Sequence, residues 1–343
     1  MDAPKISVLI PLYNRKQYAA DCINGVLNQT FTDFEIIIRD DCSSDGVFEF
    51  VQENFSDRRI KLFRNKKNLG EAENINLLTE TAAGKYFTIL HNDDLYLRDA
   101  LQNLYDAAER FNADVVHSAS CLIGSENLPL RKIFFEKLPV QKLEVVSNAP
   151  LSRFNEWYEG KIFRDAQYNL FNRKFILANK IFSEVTGWDS LLVALNWIMK
   201  AKILVKTPVT FYIRRENSDS QSAVKNIVGK NFENEISRRI ELFRRLDEFI
   251  NSFELFRNND ALKYKIKARL FGVYEDLNFD NATYGDEKFA GVYNSIENTF
   301  RKYFGEDAVY LAMTYHWAHA MHFNQNRLQG LLKDCTKILD RNI

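Results

Sequence analysis

The chain has 343 residues, long enough for one large or two moderate domains, and with 46% hydrophobic and 27% charged residues its composition excludes wholesale disorder. Its 46 Lys and Arg residues equal its 46 Asp and Glu residues, and the zero net charge argues against a general nucleic-acid binder. The four cysteines form no CxxC pair, so we expect free thiols in a reducing compartment rather than a disulfide framework or a zinc site.

The first 120 residues alternate between predicted strands and helices that are joined by short connections. Continuous apolar runs rich in β-branched residues predict buried strands at 5–10, 34–40, 59–65, 85–90 and 113–119. Apolar residues at helical spacing predict helices at 18–29, 45–55, 70–82 and 97–111, the third closed by Gly84. This alternation is typical of a mostly parallel α/β sheet with helices on both faces, which binds ligands at the carboxyl ends of its strands.

The remaining chain is less regular and then becomes helical. Residues 120–160 contain three prolines and stay open between a meander, a substrate loop and an edge hairpin. Residues 161–224 predict a helical stretch, a strand at 209–215 and a polar segment. Long helix-periodic segments, nearly free of Gly and Pro, follow to the end. We therefore predict a first domain over 1–224 and an all-helical region over 225–343.

An acidic pair ends the fourth predicted strand, in the segment GKYFTILHNDD. Asp93 and Asp94 are adjacent carboxylates, which repel each other and are costly to desolvate. Capping of the next helix suits Asp45 or Asp99 but fits this pair poorly, because the following helix begins several residues later. Carboxylates combined with water and substrate phosphates hold Mg²⁺ or Mn²⁺ without a complete protein cage, so the pair predicts a divalent cation site.

Two common phosphate-binding motifs are absent from the sequence. There is no GxxxxGK[ST] segment, which argues against a P-loop. No GxGxxG follows the first strand, which argues against a dinucleotide-binding Rossmann domain. Any phosphate groups bound at this sheet must therefore be held in another way.

A resemblance to a known family rests on four segments: KISVLIPLYNRKQYAADCINGVLNQTFTDFEIIIRDDCSSDG, NKKNLGEAENIN, GKYFTILHNDD and RRENSDS. Together they resemble the bacterial-type, inverting family 2 glycosyltransferases with the Rossmann-like GT-A fold, over roughly residues 4–222. The resemblance implies a metal-dependent enzyme that moves a hexosyl or N-acetylhexosaminyl group from a nucleoside diphosphate donor, usually UDP-linked. The acceptor would be a hydroxyl of a glycan or glycoconjugate, and surface polysaccharide biosynthesis is a family-level expectation.

The resemblance also implies which residues bind the nucleotide. Pro11 and Tyr13 would line the pocket for the base. Asp41 would accept a hydrogen bond from the uracil ring. Asn68 and Gly70 lie where the N-x-G loop of the family approaches the nucleotide.

The same resemblance assigns the remaining site residues. Asp93 would face the ribose or the sugar, and Asp94, with Asp93 beside it, would hold Mn²⁺ or Mg²⁺ on the diphosphate. Asp189 takes the position of the general base, and as a helix N-cap it would accept backbone N–H bonds that favour its ionised form. Three residues belong to a loop that often closes over the donor and would reach the diphosphate: Arg214, Arg215 and Ser218.

The sequence departs from the family pattern at several positions. Cys42 stands where a glycine usually follows the second-strand Asp pair, and Trp188 replaces the Glu that usually precedes the base. Ile75 replaces an Arg of the N-x-G helix, and His91-Asn92 is an unusual prelude to the acidic pair. These departures leave the donor identity and the acceptor geometry open.

Two other classes of function stay open. A non-catalytic sugar-nucleotide or glycan-binding module on the same fold is kept open by Trp188, because it removes an acid beside the base. A nucleotidyltransferase is less favoured, because such an enzyme needs a basic, glycine-rich loop after the first strand and PLYNRKQY has no glycine.

The helical region has three candidate tasks: holding the acceptor, forming a homo-oligomer or docking on a membrane surface. Its helices mix basic and apolar residues, as membrane-surface helices do, but solvated bundle faces have the same pattern, so we rank docking last. His316, His319 and His322 lie at helical spacing, and we favour a packed helix face over a metal site for them.

The sequence also indicates where the protein works. The segment MDAPKISVLIPLYN enters the first strand without a basic segment, so we expect no signal peptide. No stretch of about 18 apolar residues predicts a membrane span. We therefore expect a cytoplasmic protein, and the inner face of the membrane is the open alternative.

Overall fold

The computed structural model of the protein describes residues 3–125, 128–134, 140–163, 165–181, 191–216, 245, 248–263 and 265–266. The chain divides into two compact units, residues 1–217 and 218–343. The predicted domain boundary at residue 224 lies outside the described residues and stays a prediction. Among the described helices, none combines the length and the apolar character that crossing a bilayer would require.

The first unit contains twelve strands in the described residues: β1 (Ile6–Leu12), β2 (Phe34–Asp40), β3 (Ile60–Arg64), β4 (Tyr86–Ile89), β5 (Leu95–Tyr96), β6 (Val115–Ser118), β7 (Ser120–Ser125), β8 (Leu128–Phe134), β9 (Glu144–Val146), β10 (Asn169–Asn172), β11 (Leu204–Thr207) and β12 (Tyr212–Arg215). Its described helices are α1 (Lys16–Leu27), α2 (Val47–Asn54), α3 (Glu71–Thr81), α4 (Ala100–Phe111), α5 (Pro150–Tyr158), α6 (Arg173–Ala178) and α7 (Leu191–Lys200). A short 3-10 helix, Ala166–Tyr168, precedes β10.

Eight strands form one large sheet in the order β3-β2-β1-β4-β10-β6-β11-β9. Only β10 and β9 run antiparallel to their neighbours in this sheet, which confirms the predicted mostly parallel α/β fold. The register pairs Leu12 of β1 with Asp40 of β2, and Asp40 with Arg64 of β3. The carboxyl ends of these strands therefore lie level with one another, and the loops that follow them start from a common edge.

Helical periodicity places the core between the large sheet and its helices. Every residue of β1 is buried. In α1 the buried residues recur at the spacing of one helix face: Ala19, Cys22, Ile23 and Val26. They pack in the same apolar cluster as alternate residues of β1 and β2, which fixes α1 on one face of the sheet.

The segment that the sequence left open, residues 120–160, begins as a hairpin. β7 and β8 pair antiparallel and belong to a second, four-stranded sheet in the order β5-β12-β7-β8. β12 pairs with β5, which directly follows the acidic pair. This small sheet therefore brings the last described strand of the first unit beside the end of β4.

Gly84 does not terminate α3 as the sequence predicted, and its role is a different one. The helix ends at Thr81, and its C-cap is Ala82. A Cβ added to Gly84 would lie 2.7 Å from the backbone nitrogen of Ser7 and from the carbonyl oxygen of Tyr86. Only glycine fits this close approach of the two chain segments.

Glu35 forms a buried network at the amino edge of the large sheet. Its Oε1 accepts hydrogen bonds from the Ser7 hydroxyl at 2.6 Å and the Ala83 amide at 2.8 Å. Its Oε2 accepts from the Lys61 ammonium at 2.7 Å. Burial raises the pKa of Glu35, but the bonds from Lys61, Ser7 and Ala83 outweigh burial and hold this pKa below its ordinary value.

The described part of the second unit is helical. It includes α8 (Glu254–Arg257), with further helical turns on both sides. The rings of Phe249, Phe253 and Phe256 contact one another, with centroids 5.1 to 6.5 Å apart. The three histidines of the sequence analysis, His316, His319 and His322, lie outside the described residues.

Candidate active site at the carboxyl edge

Asn14 joins the loops that follow β1, β2 and β4. Its amide donates to the Ser43 hydroxyl at 2.8 Å, and its side-chain oxygen accepts from the Ser44 amide at 3.0 Å. Its carbonyl accepts from the Asn92 side chain at 2.8 Å. Asn14 and Arg15 both adopt left-handed backbone, with φ of 55° and 62°, so the loop is held in a strained conformation by these bonds.

Asp41 organises the loop between β3 and α3. Its Oδ1 accepts from the Asn65 side chain and from the Leu69 amide, each at 2.8 Å, and its Oδ2 accepts from the Gly70 amide at 2.8 Å. The Asn68 side chain accepts from the same Gly70 amide at 3.0 Å. A carboxylate oxygen accepts about two hydrogen bonds, so Oδ1 is saturated and Oδ2 can receive one further donor.

Two apolar side chains are exposed beside Asp41. Tyr13 is 40% exposed in the loop after β1, and Leu69 is 37% exposed next to Gly70. Pro11, in contrast, is buried within β1, where it pairs in register with Arg39. Tyr13 and Leu69 thus offer flat or apolar surface near a carboxylate that has one open acceptor position.

Asp94 is a buried carboxylate with neutral hydrogen-bond donors. It is 4% exposed. Tyr212 Oη donates to Oδ2 at 2.6 Å, and the Arg215 amide donates to Oδ1 at 2.8 Å. Burial and then the charge of Asp93 raise the pKa of Asp94 to about 6, although His91 and these two donors oppose the shift.

Asp93 has a different partner from its neighbour. Its carboxylate forms an ion pair with the guanidinium of Arg15, from the strained loop after β1. Asp93 thus has a charged partner, whereas the hydrogen-bond donors to Asp94 among the described residues are neutral. The two acids of the pair are therefore chemically distinct.

The two arginines of β12 point in different directions. The Arg215 guanidinium pairs with Asp21 at 3.2 Å and lies 4.6 Å from the ring centroid of Tyr18, both on α1. Arg214 shares a face of the strand with Tyr212, because side chains alternate along a strand. Burial lowers the pKa of Arg214, but interactions with the groups around it outweigh burial and raise it: Tyr168, Cys121, Asp165 and Asp94.

Three of the departures from the family pattern have a structural explanation. Cys42 adopts φ of 63°, the left-handed conformation that favours glycine, which is the residue expected there. Ile75 is 2% exposed and packs inside, so position 75 offers no cation to a nucleotide. His91 Nδ1 lies 3.4 Å from Glu71 Oε1 at the start of α3, and Asn92 binds Asn14.

The structure brings together most of the predicted site residues at one edge. Tyr13, Asp41, Asn68, Gly70 and the acidic pair lie on loops that follow β1, β2, β3 and β4, and Arg214 lies on the face of β12 that holds Tyr212. Three other residues of the sequence analysis lie outside the described residues: Trp188, Asp189 and Ser218. Sequence reasoning missed Tyr212, which lies 118 positions from Asp94 along the chain.

The donor set of the edge suits a shared cation rather than a caged one. Within the described ranges, no three His, Cys, Asp or Glu side chains converge in a way that could hold a metal ion. A Mg²⁺-type ion is commonly bound by one or two carboxylates together with substrate phosphates.

A cavity of about 320 Å³ lies at the opposite, amino edge, and its lining consists of Thr32, Asp57, Arg58 and Arg59.

Comparison with known proteins places these features in context. The model of the family described as "Glycosyl transferase family 2" matches residues 7–176. A "GalNAc(5)-diNAcBac-PP-undecaprenol beta-1,3-glucosyltransferase" of Campylobacter jejuni is 31% identical over 226 residues, which are 65% of this chain and 69% of that protein. The putative teichuronic acid biosynthesis glycosyltransferase TuaG of Bacillus subtilis is 32% identical over 130 residues, 38% of this chain and 52% of TuaG.

Other relatives are longer proteins, and the solved structures are more distant. An uncharacterized glycosyltransferase of Rickettsia conorii is 46% identical over 98 residues, 29% of this chain and 16% of that protein. The match likewise covers under a fifth of two further Rickettsia relatives, 16% and 19% of their lengths. A crystal structure of S. aureus TarS 1–349 in complex with UDP shares the fold, with a TM-score of 0.65, 15% identity, and coverage of 92% of this chain and 87% of that chain.

Proposed function

The chain belongs to glycosyl transferase family 2, and from this premise we propose that it transfers a sugar from a UDP-sugar donor to a hydroxyl of a glycan or glycoconjugate. One observation carries the proposal: the carboxylate of Asp41, with its open acceptor position, and the buried acidic pair meet at the same edge of the sheet. The relative from Campylobacter jejuni is named for a glucosyltransferase acting on an undecaprenol-linked glycan, which supports a glycoconjugate acceptor.

Asp41 favours a uracil base over cytosine. Its Oδ2 has room for one N–H donor, and Leu69, Gly70 and Asn65 hold the carboxylate in place. Uracil has an N–H at position 3, whereas cytosine has only an acceptor at that position. Tyr13 offers a ring on which the base can stack. The UDP bound to S. aureus TarS, which shares the fold, supports the same donor class.

The acidic pair fits the Mn²⁺ or Mg²⁺ that this family implies. Asp94 is buried beside Asp93, and the pKa of Asp94 is raised. Each oxygen of Asp94 keeps an acceptor position besides its one hydrogen bond. We infer that Asp94, with Asp93 beside it, would hold the ion. When bound, such an ion neutralises negative charge on the diphosphate. Arg214, on the Tyr212 face of β12, would bind the same anionic group.

We assign the general base to Asp189, which lies outside the described residues. In this proposal its carboxylate takes the proton of the acceptor hydroxyl as the oxygen attacks the anomeric carbon, and UDP departs with inversion. Asp189→Asn should then keep UDP binding and lose transfer. Transfer near the wild-type rate would assign the base to another residue, and transfer absent from the wild-type protein would favour the non-catalytic binding module.

The donor class is tested by calorimetric titration of the full chain with UDP, CDP and GDP, each with Mn²⁺ and then with EDTA. We expect binding that is selective for UDP and that weakens when the cation is removed. A screen of UDP-sugars against glycan acceptors would follow. Folded protein that binds none of the three nucleotides would overturn the proposal.

A further inference from the structure

We propose that Tyr212 is a positioning residue, which together with the Arg215 amide fixes the Asp94 carboxylate for the cation and the donor; this rests on the proposed function. The sequence analysis predicted neither group as a hydrogen-bond partner of Asp94. Both belong to β12, the strand that the small sheet sets beside the end of β4. Residues of the small sheet would thus orient the carboxylate of Asp94, the proposed metal ligand that follows β4 of the large sheet.

Each oxygen of Asp94 receives one hydrogen bond from β12. Tyr212 Oη lies 2.6 Å from Oδ2 and the Arg215 amide lies 2.8 Å from Oδ1, so the carboxylate is fixed at both ends. Because both donors are neutral, they orient the group without cancelling its charge. A site works best when its ligands are held in place by supporting hydrogen bonds of this kind.

Tyr212 is itself tightly surrounded. It is fully buried, and its ring makes edge-on contacts with Tyr96, Tyr168 and Phe211 at centroid distances of 5.7, 5.2 and 6.3 Å. The His91 amide donates to its hydroxyl at 3.4 Å, from the segment that leads into the acidic pair. The packing of the Tyr212 ring against these aromatic side chains therefore fixes the position of the hydroxyl that donates to Asp94.

The Arg215 amide is held from both sides of the strand. The Arg215 side chain binds Asp21 and stacks on Tyr18, both on α1. On the other side, the strand continues its pairing with β7 where the Glu216 amide donates to the Gly124 carbonyl at 2.8 Å. The position of the second donor therefore depends on α1 and on the small sheet together.

Asp93 provides the internal contrast. Its carboxylate forms an ion pair with the guanidinium of Arg15, so its partner is a charged side chain. The two described donors to Asp94 are neutral, so they orient its carboxylate without cancelling its charge. Loss of the Tyr212 hydroxyl should therefore weaken cation binding without disturbing the nucleotide contacts around Asp41.

Tyr212→Phe tests this role, and Tyr96→Phe is the matched control. Tyr96 is 5% exposed and lies in the same aromatic cluster, but its hydroxyl bonds to Thr88 Oγ1 at 2.9 Å and to the Ile89 carbonyl at 3.0 Å. Each variant removes one buried hydroxyl and keeps the ring. A purely structural role predicts similar losses of thermal stability in EDTA and equal cation affinity in both variants.

The measurement is a titration of the full chain with Mn²⁺ in the presence of saturating UDP. The electron paramagnetic resonance signal of free Mn²⁺ reports how much of the ion is bound. We expect Tyr212→Phe to weaken Mn²⁺ binding by about 10- to 100-fold, the usual effect of losing a partner of a metal ligand, and Tyr96→Phe to leave it unchanged. Equal affinity of Tyr212→Phe and wild type would overturn the inference alone. Wild-type protein that binds UDP without any cation dependence would overturn the proposed metal site and this inference with it.

Discussion

The two edges of the large sheet each contain a buried carboxylate, and the two groups differ in the sign of their pKa shift. Glu35 at the amino edge and Asp94 at the carboxyl edge are both 4% exposed. The pKa of Glu35 is held below its ordinary value, whereas the pKa of Asp94 is raised to about 6. An equal exposed fraction therefore does not by itself determine the direction in which the pKa of a carboxyl group shifts.

Burial raises the pKa of both acids, and their partners determine how far it is opposed. Glu35 has the Lys61 ammonium and two hydrogen bonds, so the protein supplies the compensation for burial itself. Asp94 has two neutral donors and an adjacent carboxylate, and although His91 and these donors favour its charged form, they do not outweigh burial and Asp93. This difference supports our proposal that Asp94, rather than Glu35, binds a cation. Glu35 stabilises the amino edge of the sheet, and the proposed ligand site lies at the carboxyl edge.

Removing the charge of Asp94 should give the largest effect. We expect Asp94→Asn to weaken cation-dependent UDP binding by more than about 100-fold, because in the proposed site the variant would lose a direct ligand of the cation and not only a supporting group. Its stability in EDTA at pH 7 should rise, since a poorly compensated charge is removed. Asp57→Asn is the matched control, because Asp57 pairs with Arg59 at the opposite edge. Unchanged Mn²⁺ dependence of UDP binding in Asp94→Asn would contradict the assignment.

The pH dependence of stability should separate the two acids next. Well below its unfolded pKa of 3.8, Asp94 is protonated in both the folded and the unfolded state and has no effect. As the pH rises to about 6, the unfolded chain loses a proton that the folded protein retains, so the free energy of unfolding falls by about 3 kcal/mol. Glu35 acts in the opposite sense, because its contribution is present above its unfolded pKa and is lost as the pH falls through its lowered folded pKa.

Urea unfolding in EDTA from pH 4 to 7 measures this contribution as the difference between wild type and Asp94→Asn. The wild-type curve should decline relative to the variant across that range. Added Mn²⁺ with UDP should reverse the decline, because a ligand that binds only the folded state stabilises it. Parallel curves for the two proteins would mean that Asp94 keeps an ordinary pKa in the folded state.

The sequence predicted the large sheet well because its signals are local. The apolar run at 34–40 coincides with β2, and the other early strands are displaced by at most two residues at either end. β10 and β11, four residues each, were missed, since such short strands differ little from loop sequence and β10 is antiparallel within a parallel sheet.

The gathering of candidate site residues at one edge was predicted where they follow strand ends, whereas contacts that depend on long-range pairing were missed. The positions of Asp41 and Asp94 could be predicted from the sequence, because polar residues at the carboxyl ends of parallel strands converge. The contact of Tyr212 with Asp94 arises only once β12 joins the small sheet, and nothing in the spacing of the two residues indicates it. The Arg15–Asp93 pair depends on a left-handed backbone at Arg15 that its sequence does not signal.

Glu35→Gln should have a smaller effect, confined to stability. The amide oxygen can still accept from Ser7 and Ala83, but the amide NH₂ would face the Lys61 ammonium. Lys61 is 47% exposed and can turn to water. We expect a loss of about 1–2 kcal/mol in the free energy of unfolding at pH 7. Mn²⁺ binding in the presence of UDP should match wild type, and a changed affinity would contradict the separation of the two edges.

The smallest effect is expected at Cys42, where the carboxyl edge stores backbone strain. The described residues include five non-glycine residues with positive φ, and three of them lie in loops at this edge: Asn14, Arg15 and Cys42. Left-handed backbone costs a non-glycine residue about 1–2 kcal/mol, and glycine raises the entropy of the unfolded chain by a comparable, smaller amount. Cys42→Gly should therefore stabilise the protein by about 0.5 kcal/mol in urea unfolding.

Asn112→Gly is the matched control for Cys42→Gly, because Asn112 has φ of 49° at the end of α4, away from the site. Asparagine tolerates this conformation better than cysteine, so its replacement should gain less. A loss of stability in Cys42→Gly would mean that the Cys42 side chain, which lies 3.9 Å from the Lys66 carbonyl, supports the loop that Asp41 organises. The contact of the Cys42 side chain would then offset the backbone strain at the carboxyl edge. In the same way, Lys61 and two hydrogen bonds offset the burial of Glu35 at the amino edge.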